Sequence, residues 1–296
     1  MTSGLVIVDK PGGWTSHDVV GRLRRLARTR RVGHAGTLDP MATGVLVVGV
    51  DKATRLLTHL VLTDKAYTAT IRLGRSTVTD DAEGEAVLER SAAGLSEADV
   101  RAALGPLTGD IRQVPSTVSA IKVDGQRAYA RARAGEAVEL AARPVTVARF
   151  DALAFRRPDD VAGEPVLDVD VAVECSSGTY VRALARDLGV ALGVGGHLTA
   201  LRRTRVGPFT LEQARTLEQL GEFDDPVGLP LADAVRAAMP VRAVSEEHAR
   251  ELAHGRFLPP AGIDGVHAAI GPAGTAIALL REDGRHARPV LVFEPA

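Results

Sequence analysis

VLDVDVAVECSSGTYVRALARDL, residues 166–188, holds both kinds of element from which this chain is built. Leu167, Val169, Val171, Val173 and Cys175 alternate with acidic or small residues, the period-two pattern of a strand with one apolar face. After the connection SSGTY, Val181, Leu184, Ala185 and Leu188 recur at helical spacing and predict a helix. YTATIRL (67–73) repeats the strand pattern with Tyr67, Ala69, Ile71 and Leu73 on one face, so Tyr67 points inward. LVIV (5–8) is a short apolar strand, and VLVVGV (45–50) reads as a strand buried on both faces. A helix with Ser16 as N-cap and Val19, Val20, Leu23 and Leu26 as its stripe follows the first strand. Further helices are predicted through Arg55 and Leu60 and over 96–104, and residues 119–149 read as strand, VDGQ turn, basic helical stretch and strand. The elements lack the regular alternation of a doubly wound fold. They predict an α+β fold with a central mixed, largely antiparallel sheet. Pro and Gly become dense over 221–240, which divides the chain into a domain of residues 1–240 and a small β domain of residues 241–296.

With 296 residues, 45% of them hydrophobic, the chain can fill an ordinary core. No apolar run approaches the roughly 20 residues that span a bilayer, and the start MTSGLVIVDK lacks a basic leader region, so a cytoplasmic location is expected. The single cysteine, Cys175, falls on the apolar face of its strand and reads as a buried core thiol. The eight histidines form no H-x-x-x-H pair, so no metal site is expected. Gly12-Gly13 does not complete a phosphate loop, and GVGGH (193–197) does not sit between a strand and a helix. Both read as turns, and no cofactor is expected.

Net charge is −1, but it is unevenly spread. Residues 1–35 hold seven Lys/Arg against two Asp, and residues 182–205 hold five Arg against one Asp. Such segregation fits either a basic face or solvated helix faces. Arg22, Arg25 and Arg28 line the polar side of the first predicted helix, and Arg30 and Arg31 carry the run into RRVGHAGTLDPMATGVL (30–46). There Asp39 has two readings. It caps a short helical turn PMAT that begins with Pro40 and closes at Gly44, or it is an anion presented for chemistry. His34 reads as a loop histidine, Tyr67 as core and Arg182 as a surface ion-pair partner when each is taken alone.

Taken together the stretches say more. GHAGTLDPMATGVLVV resembles the catalytic motif of the TruB family of tRNA pseudouridine synthases, and VIVDKPGGWTSHDVV resembles the strand, turn and helix that precede it there. The likeness continues in order through DKAYTATIRLGRSTVTDDAEGE, GDIRQVPSTVSAIKVDGQRAYARARAGE, CSSGTYVRALARDLG and GHLTALRRTRVGPF, and covers residues 4–210. It implies a pseudouridine synthase fold acting on uridine 55 in the T-loop of tRNA, with Asp39 as catalytic aspartate. It further implies that Tyr67 stacks on the target uracil and that Arg182 pairs with Asp39. His34 would enter the T-loop, Tyr180 and Leu201 would line the pocket, and Lys10 would support the N-terminal part of the site. Arg22, Arg25, Arg28, Arg30 and Arg31 become phosphate contacts to the T-stem-loop. The tail resembles the small PUA-type RNA-binding appendage of the family, although no basic stripe is visible in it. Ala35 and Val118 depart from residues common in the family. A monomer is expected, with no small-molecule cofactor and no membrane partner. Two other classes compete: a tRNA-binding or tRNA-folding module with catalysis secondary or lost, and a nucleoside or glycoside hydrolase using Asp39. The hydrolase normally needs a second carboxylate, which the matched motifs do not offer.

Overall fold

A computed structural model describes residues 2–116, 122–123, 126–127, 140–159 and 163–296, and its internal contacts divide the chain into two units. The middle unit holds residues 41–43 and 62–205, and the terminal unit holds residues 1–40, 44–61 and 206–296. The basic stretch expected after VDGQ and the departure at Val118 lie outside the described residues.

In the middle unit the predicted alternation is realised. The Lys65–Leu73 strand lies between the Gly196–Val206 and Leu167–Cys175 strands, and the Arg143–Arg156 and Gly109–Gln113 strands follow. Tyr67 stands opposite Val173 and Ile71 opposite Val169 in an antiparallel register. Tyr67, Ala69, Ile71 and Leu73 are buried, as are Val181, Leu184 and Leu188 of the Val181–Ala191 helix. The other sheet face is charged and cross-linked: Arg72 donates two 2.7 Å hydrogen bonds to Asp168, while Asp170 accepts from Thr70 and Arg156. A sheet face can remain polar when its alternate positions carry opposite charges across neighbouring strands.

The terminal unit is built around residues 44–50 of the Thr43–Val50 strand. Gly4–Lys10 pairs with it antiparallel along its whole length, and Val32–Ala35 pairs with it on the other side. Val45, Leu46, Val47, Val48 and Val50 are fully buried, as the unbroken apolar run predicts. Gly49 is required by packing, because a Cβ there would meet the Ala53 carbonyl oxygen at 2.7 Å. The Ser16–Leu26 helix buries Val19, Val20 and Leu23. Its cap is Thr15, not Ser16: Thr15 accepts from the Asp18 amide, and the Asp18 carboxylate accepts from the Thr15 amide.

Residues beyond 240 form a four-stranded sheet in which Val241–Ala243 runs parallel to Val266–Ile270, with Ala276–Glu282 and Ala287–Val292 added antiparallel. Within the terminal unit this sheet shares one core with the first strands. Leu279, Ile270 and Phe293 pack in the same cluster as Leu5, Ile7, Leu56, Leu60 and Val235. Arg55 Nη2 donates to the Val292 and Phe293 carbonyls at 2.6 and 3.0 Å, and Lys52 pairs with Glu294 at 2.8 Å. The tail therefore does more than hang from the chain: it closes the core beneath the N-terminal strands. Phe293→Ala should destabilise the terminal unit by about 3–5 kcal/mol. The single tryptophan, Trp14, lies in that unit, so its emission during urea unfolding reports the loss directly. Leu153→Ala, at a position 53% exposed in the middle unit, should leave that transition in place.

Candidate active site

Asp39 lies in a segment with no helix: residues 36–42 are irregular, and Gly44, with φ of +98°, belongs to the Thr43–Val50 strand. The N-cap reading of Asp39 is therefore removed, since no helical amides follow it for the carboxylate to accept from. What fixes the segment is a set of tertiary bonds on both flanks. The buried Ser16 hydroxyl donates to the Leu38 carbonyl at 3.1 Å and accepts from the Leu38 amide at 2.9 Å. On the other flank the Gly13 amide donates to the Pro40 carbonyl at 2.8 Å. Lys10 is wholly buried, and its Nζ donates to the carbonyls of Pro11, Trp14 and Pro40 at 2.8, 2.7 and 3.2 Å. Between these anchors Asp39 is half-buried. Its carboxylate is thus presented from a fixed backbone in a loop of irregular form. His34, expected in a loop, stands instead on the Val32–Ala35 strand opposite Val48, also half-buried.

The middle unit holds Tyr67, Tyr180, Arg182 and Leu201. Tyr180 precedes the Val181–Ala191 helix, and one buried side chain grips its backbone twice: the Tyr180 amide donates to Gln113 Oε1 at 2.8 Å, and Gln113 Nε2 donates to the Tyr180 carbonyl at 3.1 Å. Arg182 is only 4% exposed, so the surface-partner reading gives way. Its Nη1 donates to the Thr79 carbonyl at 2.9 Å and to Ser116 Oγ at 3.2 Å, and the Asp81 carboxylate lies 3.6 Å away. One helical turn later Arg186 meets Asp80 at 3.3 Å. Burial holds the Asp80 carboxyl above the ordinary carboxylate range, with Arg186 pulling against it. Leu201 is buried and lines a cleft of about 520 Å³ with Thr68, Thr70, Leu153 and Thr199. Burial pushes the Cys175 thiol up to about 11, which leaves it protonated at neutral pH and fits a core residue. Ser16 as an anchor, and Gln113, Thr79, Asp81 and Ser116 as supports, are the residues that sequence reasoning missed.

Three family models cover most of the chain: TruB family pseudouridylate synthase, N-terminal domain, over residues 24–181; tRNA pseudouridylate synthase B C-terminal domain over 182–225; and tRNA pseudouridine synthase II, C-terminal, over 239–294. The chain belongs to the TruB family of pseudouridylate synthases. Among its relatives, the protein named tRNA pseudouridine synthase B of Arthrobacter sp. (strain FB24) is 64% identical over 305 residues, covering 100% of this chain and 98% of that one. The protein of the same name from Nocardia farcinica is 64% identical over 293 residues, covering 99% and 94%. Among solved structures, the crystal structure of a Cbf5-Nop10-Gar1 complex aligns with a TM-score of 0.73 at 26% identity, over 99% of this chain and 85% of that one. The TruB chain is thus an enzyme of the isomerase class, and its α+β fold with a small C-terminal β domain is that of pseudouridine synthases.

A basic helix face and a second, mixed cluster complete the picture of this TruB protein. Arg25, Arg28, Arg30 and Arg31 are exposed and Arg22 is half-buried, while Arg31 is partly neutralised by Asp51 at 3.3 Å. The second is one that sequence order hides. The Leu258–Ala287 bridge brings HGRF (254–257) beside GRHAR (284–288), with the Arg288 guanidinium 4.9 Å from the Phe257 ring centroid and the His286 ring at 5.7 Å. Folding thus gathers Phe257, His286 and Arg288, and Arg288 is also ion-paired with Asp283 at 2.5 Å.

The anchoring of the Asp39 segment can be tested without any substrate. Ser16→Ala leaves the buried Leu38 amide and carbonyl without the hydroxyl and should cost about 1–3 kcal/mol. Hydrogen exchange at the Leu38 amide should speed up. Thr15→Ala removes the adjacent helix cap for about 1 kcal/mol and should leave Leu38 protected.

Proposed function

We propose that this protein isomerises uridine 55 in the T-loop of tRNA to pseudouridine, with Asp39 as the catalytic nucleophile. The reaction breaks the bond from C1′ to N1 of uracil, turns the base and joins C1′ to C5. The C5 proton leaves, N1 gains a proton, and the overall formula is unchanged. Such a reaction needs an anionic group at C1′, as nucleophile or as partner for developing positive charge on the sugar. The observation that carries this reading is the Asp39 segment itself: a half-buried carboxylate on irregular backbone, pinned on both sides by Ser16, Gly13 and Lys10. Backbone held so firmly without regular structure fits a group that must be presented at one angle.

In this reading Arg182 pairs with Asp39, since a guanidinium stays charged when buried and can meet a carboxylate through two hydrogen bonds. Tyr67 stacks on the extruded uracil, offsetting part of the lost base stacking. Tyr180 and Leu201 line the pocket, His34 enters the T-loop, and Lys10 holds the site's backbone. Residues 1–240 carry the catalysis, and residues 241–296 add RNA contacts through the Phe257 and Arg288 cluster. The substrate is tRNA alone, taken by a monomer in the cytoplasm without a cofactor.

The deciding measurement is single-turnover pseudouridine formation on a T-stem-loop by Asp39→Asn. The rate should fall by at least about three orders of magnitude, on the order of 4 kcal/mol of barrier, with melting temperature and RNA affinity preserved. A rate within tenfold of wild type would refute the nucleophile. The basic helix offers a second test at its end, where Arg28 occupies the left-handed position of a Schellman cap with φ of +50°, its amide donating to Arg25 and the Thr29 amide to Arg24. Glycine suits that position better. Arg28→Gly should match or exceed wild type in stability by up to about 1 kcal/mol. It should nevertheless bind the stem-loop less tightly, with a salt dependence shallower by roughly 0.7–0.9 in log–log slope.

A further inference from the structure

Trp14 is the single tryptophan of the chain, and it is 37% exposed. The hydrogen bonds around it hold its backbone and leave the indole free of them. The turn that carries it is already held by the Lys10 ammonium, which takes the Pro11 and Trp14 carbonyls, and by the Gly13 amide bonded to Pro40. Gly13 supplies the positive φ, +78°, that the turn needs. Thr15 then caps the helix with Asp18. None of these bonds uses the indole, whose ring makes no stacking or cation contact with a described residue. The turn therefore holds the ring in place with about a third of it open to solvent, where the flat face of a partner can reach it.

The turn lies close to the Asp39 segment. The 2.8 Å bond from the Gly13 amide to the Pro40 carbonyl ties the residue before Trp14 to the residue after Asp39. Standard backbone dimensions then place the Cα atoms of Trp14 and Asp39 no more than about 15 Å apart. The helix that starts two residues after Trp14 leads to exposed Arg25 and Arg28. An RNA loop with one ribose at Asp39 and phosphates along those arginines has room to lay a flanking nucleotide over this turn. We propose that Trp14 is a stacking platform for an unpaired base of the RNA substrate, next to the nucleotide that reacts. This rests on the functional reading given above and adds to it a contact made by the ring face, which any base can satisfy. Trp14 acts in binding, and the reacting atoms remain with Asp39.

Because the chain has one tryptophan, its emission observes the contact directly. The Asp39→Asn protein, titrated with a synthetic T-stem-loop, should show saturable quenching of that emission with a midpoint equal to the dissociation constant from an independent binding assay. In the otherwise wild-type enzyme, Trp14→Ala should weaken stem-loop binding by roughly fivefold to over a hundredfold, the equivalent of about 1–3 kcal/mol for one stacked base. The slope of log affinity against log salt should stay unchanged, since no phosphate contact is lost. Trp14→Phe should recover most of the affinity, and single-turnover rates at saturating RNA should remain within a few fold for both variants. Constant emission through saturation overturns the proposal, as does an alanine variant that binds like wild type. If Trp14→Ala fails to fold, the titration of the Asp39→Asn protein and the phenylalanine variant still decide. Absence of pseudouridine in the stem-loop after treatment with wild type would overturn the functional reading, whereas modification with unaltered tryptophan emission would remove Trp14 alone.

Discussion

A single ammonium group, wholly removed from water, holds together the part of this protein that matters most. Lys10 ends the first strand, and its Nζ reaches carbonyls of the turn that follows and of Pro40, thirty residues later. A compact cation with rotatable donors suits such a task better than a planar guanidinium would. Burying it without those carbonyls would cost several kcal/mol, so alternative arrangements of the turn and the Asp39 segment are strongly disfavoured. Together with the Ser16–Leu38 and Gly13–Pro40 bonds, this contact fixes the course of the Asp39 backbone and of the turn that carries Trp14.

A comparable logic operates in the middle unit with different chemistry. Tyr180 and Arg182 open one helix, and neither is left to choose its own orientation. Gln113 takes both backbone groups of Tyr180, while Thr79, Asp81 and Ser116 surround the Arg182 guanidinium. Satisfied polar networks of this kind specify one arrangement because a partly satisfied one is so unfavourable in a poorly solvated interior.

Strands were the legible part of the sequence, because a period of two or an unbroken apolar run maps directly onto burial. Tyr67 facing inward and Val45–Val50 buried throughout follow from pattern alone. The site residues were proposed from a likeness to a family, and the bonds that hold their backbone left no mark in the sequence pattern. Thr15 and Ser16 offer the same hydroxyl at adjacent positions, and only the fold shows that Thr15 caps while Ser16 meets Leu38, 22 residues away. An aspartate before proline carries a genuine local preference for capping. Tertiary bonds on both flanks overrode it. The mixed cluster near Phe257 escaped notice because its two halves stand about thirty positions apart and meet only through the Leu258–Ala287 bridge.

The core that the last strands share with the first has a consequence for how the chain is made. Its terminal unit is discontinuous in sequence, drawing on residues 1–40 and 44–61 and then on 206–296. On the ribosome the earliest segment emerges with Leu5, Ile7, Leu56 and Leu60 in need of partners such as Leu279 and Phe293 that have yet to be synthesised. Residues 62–205 are complete well before that and can close around their own strands. The Gly4–Lys10 strand and the segment around Leu56 therefore wait for partners made more than two hundred residues later. During translation these apolar stretches are the surface most in need of a chaperone.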